Sequence, residues 1–337
     1  MSAETEPEAG TGTPRVVVTD KRFEEDVFSE GVASEGGEVV FGDFETEAAV
    51  VEGCRDATVV VTFKAPLTRG AFEAMDRCRL VFQNSAGFDS VDIVAANDRG
   101  IPVSTPKGYA ADEVAEHAIT LALAAARDVA FADRDLRESP GFGERPPIVP
   151  LSGGTFGIVG FGAIGTAVVP KARGLGMDVV ASDPYAPQAL FEALGVEREP
   201  LDALLARADV ISLHCPLTAE TRGLLSTSEF DQMKESAVLV NTARGGILDE
   251  AALVDAIENG AIGGAGIDVF ETEPPEDTPA LGCERIVCSP HHAGLCERVL
   301  DRAKTMAREE VRRALRGEHP RNVVNPEALL YRDETTA

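Results

Sequence analysis

Two histidines stand side by side in Ser289-Pro290-His291-His292-Ala293-Gly294, in a chain that holds only five. Histidine is the side chain whose ordinary pKa lies nearest neutrality, so either ring is a candidate to take or give a proton. The hexapeptide by itself does not choose between them. A second stretch, Gly160-Phe161-Gly162-Ala163-Ile164-Gly165, has the G-x-G-x-x-G spacing of a dinucleotide loop. Gly160 permits the tight turn, Gly162 lets backbone amides approach a pyrophosphate, and Gly165 lets the following helix pack on its strand. The first residues of that helix, Ala163 and Ile164, would turn its N-terminus toward the phosphates. Asp183 lies 18 residues past Gly165, where a dinucleotide fold places its ribose-binding acid. Its carboxylate can accept from both ribose hydroxyls and repels a 2′-phosphate, which favours NAD(H) over NADP(H).

These side chains need strands that end beside them. Short Val- and Ile-rich runs predict strands at Arg15–Asp20, Thr58–Phe63, Leu80–Gln83 and Ile101–Ser104, and a second series at Thr155–Gly160, Asp178–Ser182, Val210–Leu213, Ala237–Asn241, Gly264–Asp268 and Ile286–Ser289. Helical spacing fills the segments between, as in Leu201-x-x-Leu204-Leu205. This alternation predicts an α/β protein with parallel sheets covered by helices on both faces. Asp112–Leu136 reads as one long helix whose middle, Ala118–Ala126, is apolar nearly all round and therefore buried. The Pro/Gly-rich stretch Ser139–Gly154 ends it, and a last helix from about Arg298 stops at Gly317.

Three further stretches follow or overlap predicted strands: His214-Cys215-Pro216-Leu217-Thr218, Asn241-Thr242-Ala243-Arg244-Gly245-Gly246-Ile247-Leu248-Asp249-Glu250, and Gly264-Ala265-Gly266-Ile267-Asp268-Val269-Phe270-Glu271-Thr272-Glu273-Pro274-Pro275. As an ordered set with the histidine pair, they resemble the D-isomer-specific 2-hydroxyacid dehydrogenase family over about residues 55 to 326. Gly87-Phe88-Asp89-Ser90-Val91-Asp92 and the ending Ala307–Pro326 are similar to its C-terminal-binding-protein-like branch. The resemblance implies a Rossmann NAD-binding domain, residues 107–295, inserted into a flavodoxin-like substrate domain built from residues 14–106 and 296–332. It also implies a homodimer formed through the dinucleotide-binding domains.

On the same resemblance His291 matches the catalytic acid/base, Glu273 its carboxylate partner and Arg244 the substrate arginine. Extended backbone would in any case aim residues 291 and 292 to opposite faces. Glu271 lies close enough in sequence to be an alternative to Glu273. The types suit the chemistry. A carboxylate beside an imidazole favours its protonated form, and arginine can hold a substrate carboxylate through two hydrogen bonds. The resemblance assigns Asp268 to the nicotinamide side and Cys215 and Pro216 to the adenosine end, with Thr242, Ala243 and Gly294 along the cofactor. It gives the amides of Ala86 and Gly87 to the substrate carboxylate; Lys64 either adds positive charge to the cleft or is simply a solvated lysine. His117 and His214 read as structural. Where some members of the branch carry a tryptophan after the histidine, this chain has Gly294-Leu295 and no tryptophan at all. Phosphoglycerate-oxidising members often carry a C-terminal regulatory domain, for which the residues up to Ala337 leave no room.

Composition sets the limits. The net charge is −26, from 57 acids against 31 bases, of which only six are lysine. Such a field repels nucleic acid and anionic lipid, so neither is expected as a partner. Scattered acids with scarce lysine also suit a cytoplasm at molar salt, where screening acts within roughly 3 Å. Residues 1–13 read as an acidic solvated tail without the order of a signal peptide, and no apolar run reaches bilayer length. The six cysteines include no C-x-x-C pair. Cys283 and Cys288 raise the question of zinc near the histidine pair, but Cys288 falls within a strand-like run, so free thiols and no metal are expected. A cytoplasmic NAD-dependent dehydrogenase acting on a small 2-oxo or 2-hydroxy acid is therefore the leading expectation. An NAD(H)-responsive binding or corepressor-like protein is the rival, because binding alone needs no proton shuttle. A formate-type dehydrogenase would have no substrate hydroxyl for Glu273 and His291 to serve.

Overall fold

Short strands, many rich in valine and isoleucine, lay down two separate parallel sheets. The computed structural model describes residues 12–20, 26–141 and 148–330. The chain divides into two units, Met1–Tyr109 with Leu300–Ala337, and Ala110–Val299. The predicted boundaries, after 106 and after 295, stand three and four residues before these. Of the expected acidic tail, residues 1–11 lie outside the described residues, while Gly12 and Thr13 are exposed.

The first unit runs β1 (Arg15–Val18), α1 (Asp26–Ser34), β2 (Glu38–Phe41), α2 (Glu47–Cys54), β3 (Val59–Thr62), α3 (Arg69–Ala74), β4 (Leu80–Gln83), α4 (Ile93–Asp98) and β5 (Val103–Ser104). Its sheet has the order β2-β1-β3-β4-β5, every pair parallel. This is the flavodoxin-like winding. Val16, Val18, Val59 and Val61 pack toward one layer of helices, and Val17, Val60 and Val81 toward the other. Side chains start the helices: Thr46 Oγ1 accepts from the Ala49 amide before α2, and Asp92 Oδ1 from the Ala95 amide before α4.

The second unit runs α5 (Ala111–Ala126), α6 (Val129–Glu138), β6 (Thr155–Val159), α7 (Ala163–Gly174), β7 (Asp178–Ser182), α8 (Gln188–Leu194), β8 (Glu197–Arg198), α9 (Leu201–Arg207), β9 (Val210–Leu213), α10 (Thr227–Phe230), β10 (Val238–Asn241), α11 (Glu250–Glu258), β11 (Gly264–Ile267) and β12 (Ile286–Cys288). The chain returns to the first unit within α12 (Glu297–Leu315). The sheet order is β12-β11-β10-β9-β6-β7-β8, again parallel throughout. Its direction of winding reverses between β6 and β9, and the strand ends flanking that reversal are where such sheets bind ligands. Gly266 has no side chain because Leu121 of α5 lies against it; a Cβ there would stand 2.7 Å from the Leu121 Cβ.

The long helix expected over Asp112–Leu136 is two helices. Asp128 adopts a left-handed conformation, φ 54°, which breaks the ladder between α5 and α6. Aspartate tolerates that region better than most residues. α5 is buried along Ala115, Ala118, Ile119, Leu121 and Ala122, whereas α6 has no buried residue. Two strands were not predicted. β8 is exposed at both residues, whereas β2 carries Val39-Val40-Phe41, partly buried and packed against both core layers. Among the described residues, no helix is long and apolar enough to cross a membrane.

Candidate active site

In the second unit, six loops at the C-terminal ends of β6, β7, β9, β10, β11 and β12 carry the candidate residues. Gly160 ends β6 with φ 91°, and a Cβ on it would lie 2.4 Å from the Cys215 amide nitrogen. A Cβ on Gly165 would lie 2.3 Å from the Gly160 carbonyl oxygen. Above Gly162 the space is open for 4 Å. Gly162 is also the N-cap of α7 and offers its first amides no side-chain acceptor. Thr242 Oγ1, at the end of β10, is buried without a protein partner. An open space over uncapped helix amides, with an unused buried hydroxyl nearby in the strand series, fits a dinucleotide.

Asp183 has a structural task in addition to the expected one. Its Oδ2 accepts from the Phe161 amide at 2.8 Å, and its Oδ1 accepts from Tyr185 and Ala186 at 2.8 and 3.0 Å. It therefore ties the glycine loop to the turn after β7 and keeps acceptor capacity for a sugar hydroxyl. Arg198 donates to the Asp183 carbonyl at 2.8 Å and stacks on Phe191. Beyond β9, burial pushes the Cys215 thiol up to about 11, so it stays neutral. Pro216 is exposed beside it.

His214, read as structural, is held by Ser212 Oγ at 2.9 Å from its Nε2, while Nδ1 is buried without a partner. Desolvation pulls its pKa down to about 3 from an ordinary 6.5. The unfolded chain then binds the extra proton more readily. Stability from this group is complete above pH 6.5 and is lost as pH falls toward 3, by up to about 1.4 kcal/mol per unit. The melting temperature of the native protein should therefore fall more steeply between pH 6.5 and 5 than that of His214→Phe. Parallel slopes in the two melts would remove the assignment.

Asp268 is the anchor of the region. It is buried, and its Oδ1 accepts from Ser289 Oγ at 2.6 Å and from the His292 amide at 3.0 Å, its Oδ2 from the Ala293 amide at 2.9 Å. Burial alone would raise its pKa. The hydrogen bonds from His117, Ser289 and the two amides outweigh burial and hold the carboxyl below the usual range. The Asp268 carbonyl in turn accepts the His291 amide at 2.8 Å.

The backbone at His291 is not extended, as the alternation argument required. It is left-handed, φ 49°. The two rings nonetheless part. His291 Nδ1 lies 2.7 Å from Glu273 Oε2, with its side chain 51% exposed. His292 instead meets His117 edge-on, with ring centroids 5.1 Å apart. Glu273 Oε1 accepts from the Phe270 amide at 3.3 Å. A carboxylate on Nδ1 fixes the ring and leaves Nε2 for a reacting oxygen.

Glu271 has another occupation. Its Oε1 accepts from the Glu250 amide at 3.0 Å, while its own amide donates to Glu250 Oε1. Glu250 is buried at the start of α11 and also accepts from Thr278 Oγ1, which braces the loop that carries Glu273. Arg244 follows β10 in a turn held by Asn241, whose Nδ2 donates to the Arg244 carbonyl and whose Oδ1 accepts the Ala243 amide. The next residue, Gly245, abuts the Phe270–Glu271 peptide so closely that a Cβ would stand 1.9 Å from the Phe270 carbonyl carbon. The arginine loop and the glutamate loop thus share a backbone contact. Gly294 packs at the start of α5, where its Cβ would meet the Ala110 Cβ at 3.3 Å.

In the first unit, Lys64 is exposed after β3, and Ala86 and Gly87 follow β4. Gln83 ties the two loops, donating to the Phe63 carbonyl and to Ser85 Oγ, and Ser85 Oγ donates to the Gly87 carbonyl. Sequence reasoning missed the roles of Gly245, Glu250, Ser289 and His117. His117 was visible as a histidine beside the apolar run Ala118–Ala126, while Gly245, Glu250 and Ser289 lay within the motif stretches without an assigned role.

A family model described as D-isomer specific 2-hydroxyacid dehydrogenase, NAD binding domain, matches residues 119–293. A glyoxylate reductase of Korarchaeum cryptofilum is 38% identical over 293 residues, covering 85% of this chain and 88% of the relative. A D-3-phosphoglycerate dehydrogenase of Methanocaldococcus jannaschii is 36% identical over 92% of this chain, which spans 59% of that relative's length. Among solved structures, a glyoxylate reductase from Paecilomyes thermophila superposes with a TM-score of 0.85 at 27% identity, covering 93% of this chain and 98% of that one.

Proposed function

The chain belongs to the D-isomer specific 2-hydroxyacid dehydrogenase family, and from that membership we propose that it interconverts a small 2-oxo acid and the corresponding D-2-hydroxy acid. The observation that carries the reading is the 2.7 Å pairing of His291 Nδ1 with Glu273 Oε2. A bound nicotinamide supplies or accepts the hydride. In the reductive direction protonated His291 gives its Nε2 proton to the carbonyl oxygen of the substrate, and Glu273 stabilises the positive ring before that transfer. Arg244 holds the substrate carboxylate and polarises the neighbouring carbonyl. Lys64, Ala86 and Gly87 belong to the same proposal as substrate contacts.

Gly160, Gly162, Ala163, Ile164 and Gly165 would cradle the pyrophosphate, with Cys215, Pro216, Thr242, Ala243, Asp268 and Gly294 along the rest of the dinucleotide. Asp183 makes NAD(H) the preferred form, because its charge faces a 2′-phosphate. Arg198 beside it is the group that would welcome that phosphate once the charge is gone. Asp183→Asn should therefore lower the NAD:NADP ratio of kcat/KM by about tenfold or more, a change of roughly 1.4 kcal/mol. A ratio unchanged by the substitution would sink this cofactor assignment.

A homodimer through the dinucleotide-binding domain is supported by α6, which has no buried residue and leaves Val129 and Leu136 half exposed or more. The charge of −26 supports a protein of a salt-rich cytoplasm, akin to the C-terminal-binding-protein-like branch in its final helix. The function is tested with purified protein, NADH and a panel of glyoxylate, hydroxypyruvate and pyruvate in molar KCl. NADH oxidation with at least one is expected. NADH binding without turnover of any 2-oxo acid would favour the rival binding protein instead.

A further inference from the structure

The proposed reaction gives no step to His117 or His292, yet both rings converge on Asp268. His117 comes from α5, Asp268 from the end of β11 and His292 from the turn after β12, and one potential ligand atom from each lies within 4.8 Å of the others. We propose that these three side chains form a binding site for one divalent transition-metal ion of the zinc class.

Two imidazoles and a carboxylate are a ligand set zinc accepts, leaving a fourth position for water. Bonds of about 2.0–2.2 Å place the ligand atoms of a tetrahedral ion about 3.3–3.6 Å apart. His117 Nε2 and Asp268 Oδ1 already stand 3.5 Å apart. His292, whose residue is exposed, has a ligand atom within 4.8 Å of the other two and would close on the ion, while the His117 ring would turn from Ser289 Oγ toward it. Asp268 is oriented as ligating carboxylates usually are, by outer hydrogen bonds from Ser289 Oγ and the amides of His292 and Ala293. With the His117 contact given over to the ion, those three bonds leave an acceptor position on the carboxylate.

The protonation pattern agrees. Ser289 Oγ donates to Asp268 Oδ1 and stands 2.9 Å from His117 Nε2. With its own hydrogen committed to the carboxylate, the hydroxyl accepts from Nε2–H. A metal ion on Nε2 would displace that proton from the contact with Ser289 Oγ, and the ring, to stay neutral, would carry its hydrogen on Nδ1 instead. The surrounding charge of −26 draws cations toward the surface where His292 is exposed.

The test uses the full chain without cofactor. Cobalt(II) is titrated in and read by the visible d–d absorption of a tetrahedral nitrogen–oxygen site, then displaced with zinc(II). One equivalent is expected to bind, with affinity lowered at least tenfold in His292→Ala and in His117→Gln. Zinc should raise the melting temperature of the native chain and of neither variant, since a ligand of the folded state alone stabilises it. Equal binding by the native chain and both variants would overturn the proposal. So would a sulfur-to-cobalt charge-transfer band, which would place the ion on Cys283, Cys288 or Cys296. No turnover is measured, so this result stands apart from the dehydrogenase reading.

Discussion

Replacing His291 by asparagine is expected to lower kcat for 2-oxo acid reduction by about 10²-fold or more, with NADH affinity unchanged. Asparagine is chosen because residue 291 sits at φ 49°, a region that asparagine, like histidine, tolerates better than alanine does. The substitution thus removes the proton donor without straining the turn. The ring is half exposed and pairs with Glu273, so folding should change little. The cofactor contacts proposed at Gly160, Gly162 and Asp183 lie on other strand ends, which is why binding should survive. Glu273→Gln is the graded companion. Glutamine can still accept from Nδ1 but carries no charge to stabilise the imidazolium, so kcat should fall by a smaller factor. Steady-state turnover with fluorescence titration of NADH separates the two quantities. Near-normal turnover in His291→Asn would hand proton transfer to another group.

The two sheets were legible because most interior strands are rich in buried valine, isoleucine or leucine, such as Val59–Thr62 and Val210–Leu213. Burial on both faces leaves such strands little choice of residue. β8 escaped notice because its two residues are polar and exposed, whereas the Val39-Val40-Phe41 run of β2 was legible and was missed. The break at Asp128 escaped for a different reason. Its left-handed conformation is a single-residue event inside a stretch whose composition still favours helix, and propensity averages over it. Asp183 and the three glycines were readable because each has a backbone reason to be there. Even so, the bonds from Phe161, Tyr185 and Ala186 to Asp183 were invisible, since they depend on how two loops meet.

At the candidate site, residue type was more legible than geometry. The choice of His291 over His292 came from the resemblance. The supporting argument from extended backbone did not describe the turn, which separates the rings by a left-handed residue instead. Glu273 was chosen over Glu271 on the resemblance as well, and the structure pairs Glu273 with His291 while Glu271 accepts from the Glu250 amide. The meeting of His117, Asp268 and His292 joins positions more than a hundred residues apart in the chain, and no local spacing announces it.

Gly245→Ala should be the most damaging small change outside the reacting groups. A Cβ there would stand 1.9 Å from the Phe270 carbonyl carbon, 2.0 Å from its oxygen and 2.3 Å from the Glu271 nitrogen. All three are backbone atoms, so no side chain can swing aside, and one of the two loops must move. The Phe270 amide holds Glu273, and the residue before Gly245 is Arg244. Either movement therefore misplaces a reacting group, and an error of about 1 Å can cost about 10²-fold in rate. Overpacking of this kind destabilises by about 1–3 kcal/mol, occasionally more. Over a unit of this size that corresponds to about 2–4 °C of melting temperature for each kcal/mol. The expected result is kcat/KM lower by about 10²-fold with a clear fall in melting temperature. Gly246→Ala is the internal control, because the nearest atoms to its Cβ are side-chain atoms of Arg222 and Leu217 at 3.4 Å. It should retain most of its activity. If Gly245→Ala and Gly246→Ala behave alike in turnover and in melting, the contact between the arginine and glutamate loops does not position Arg244 and Glu273.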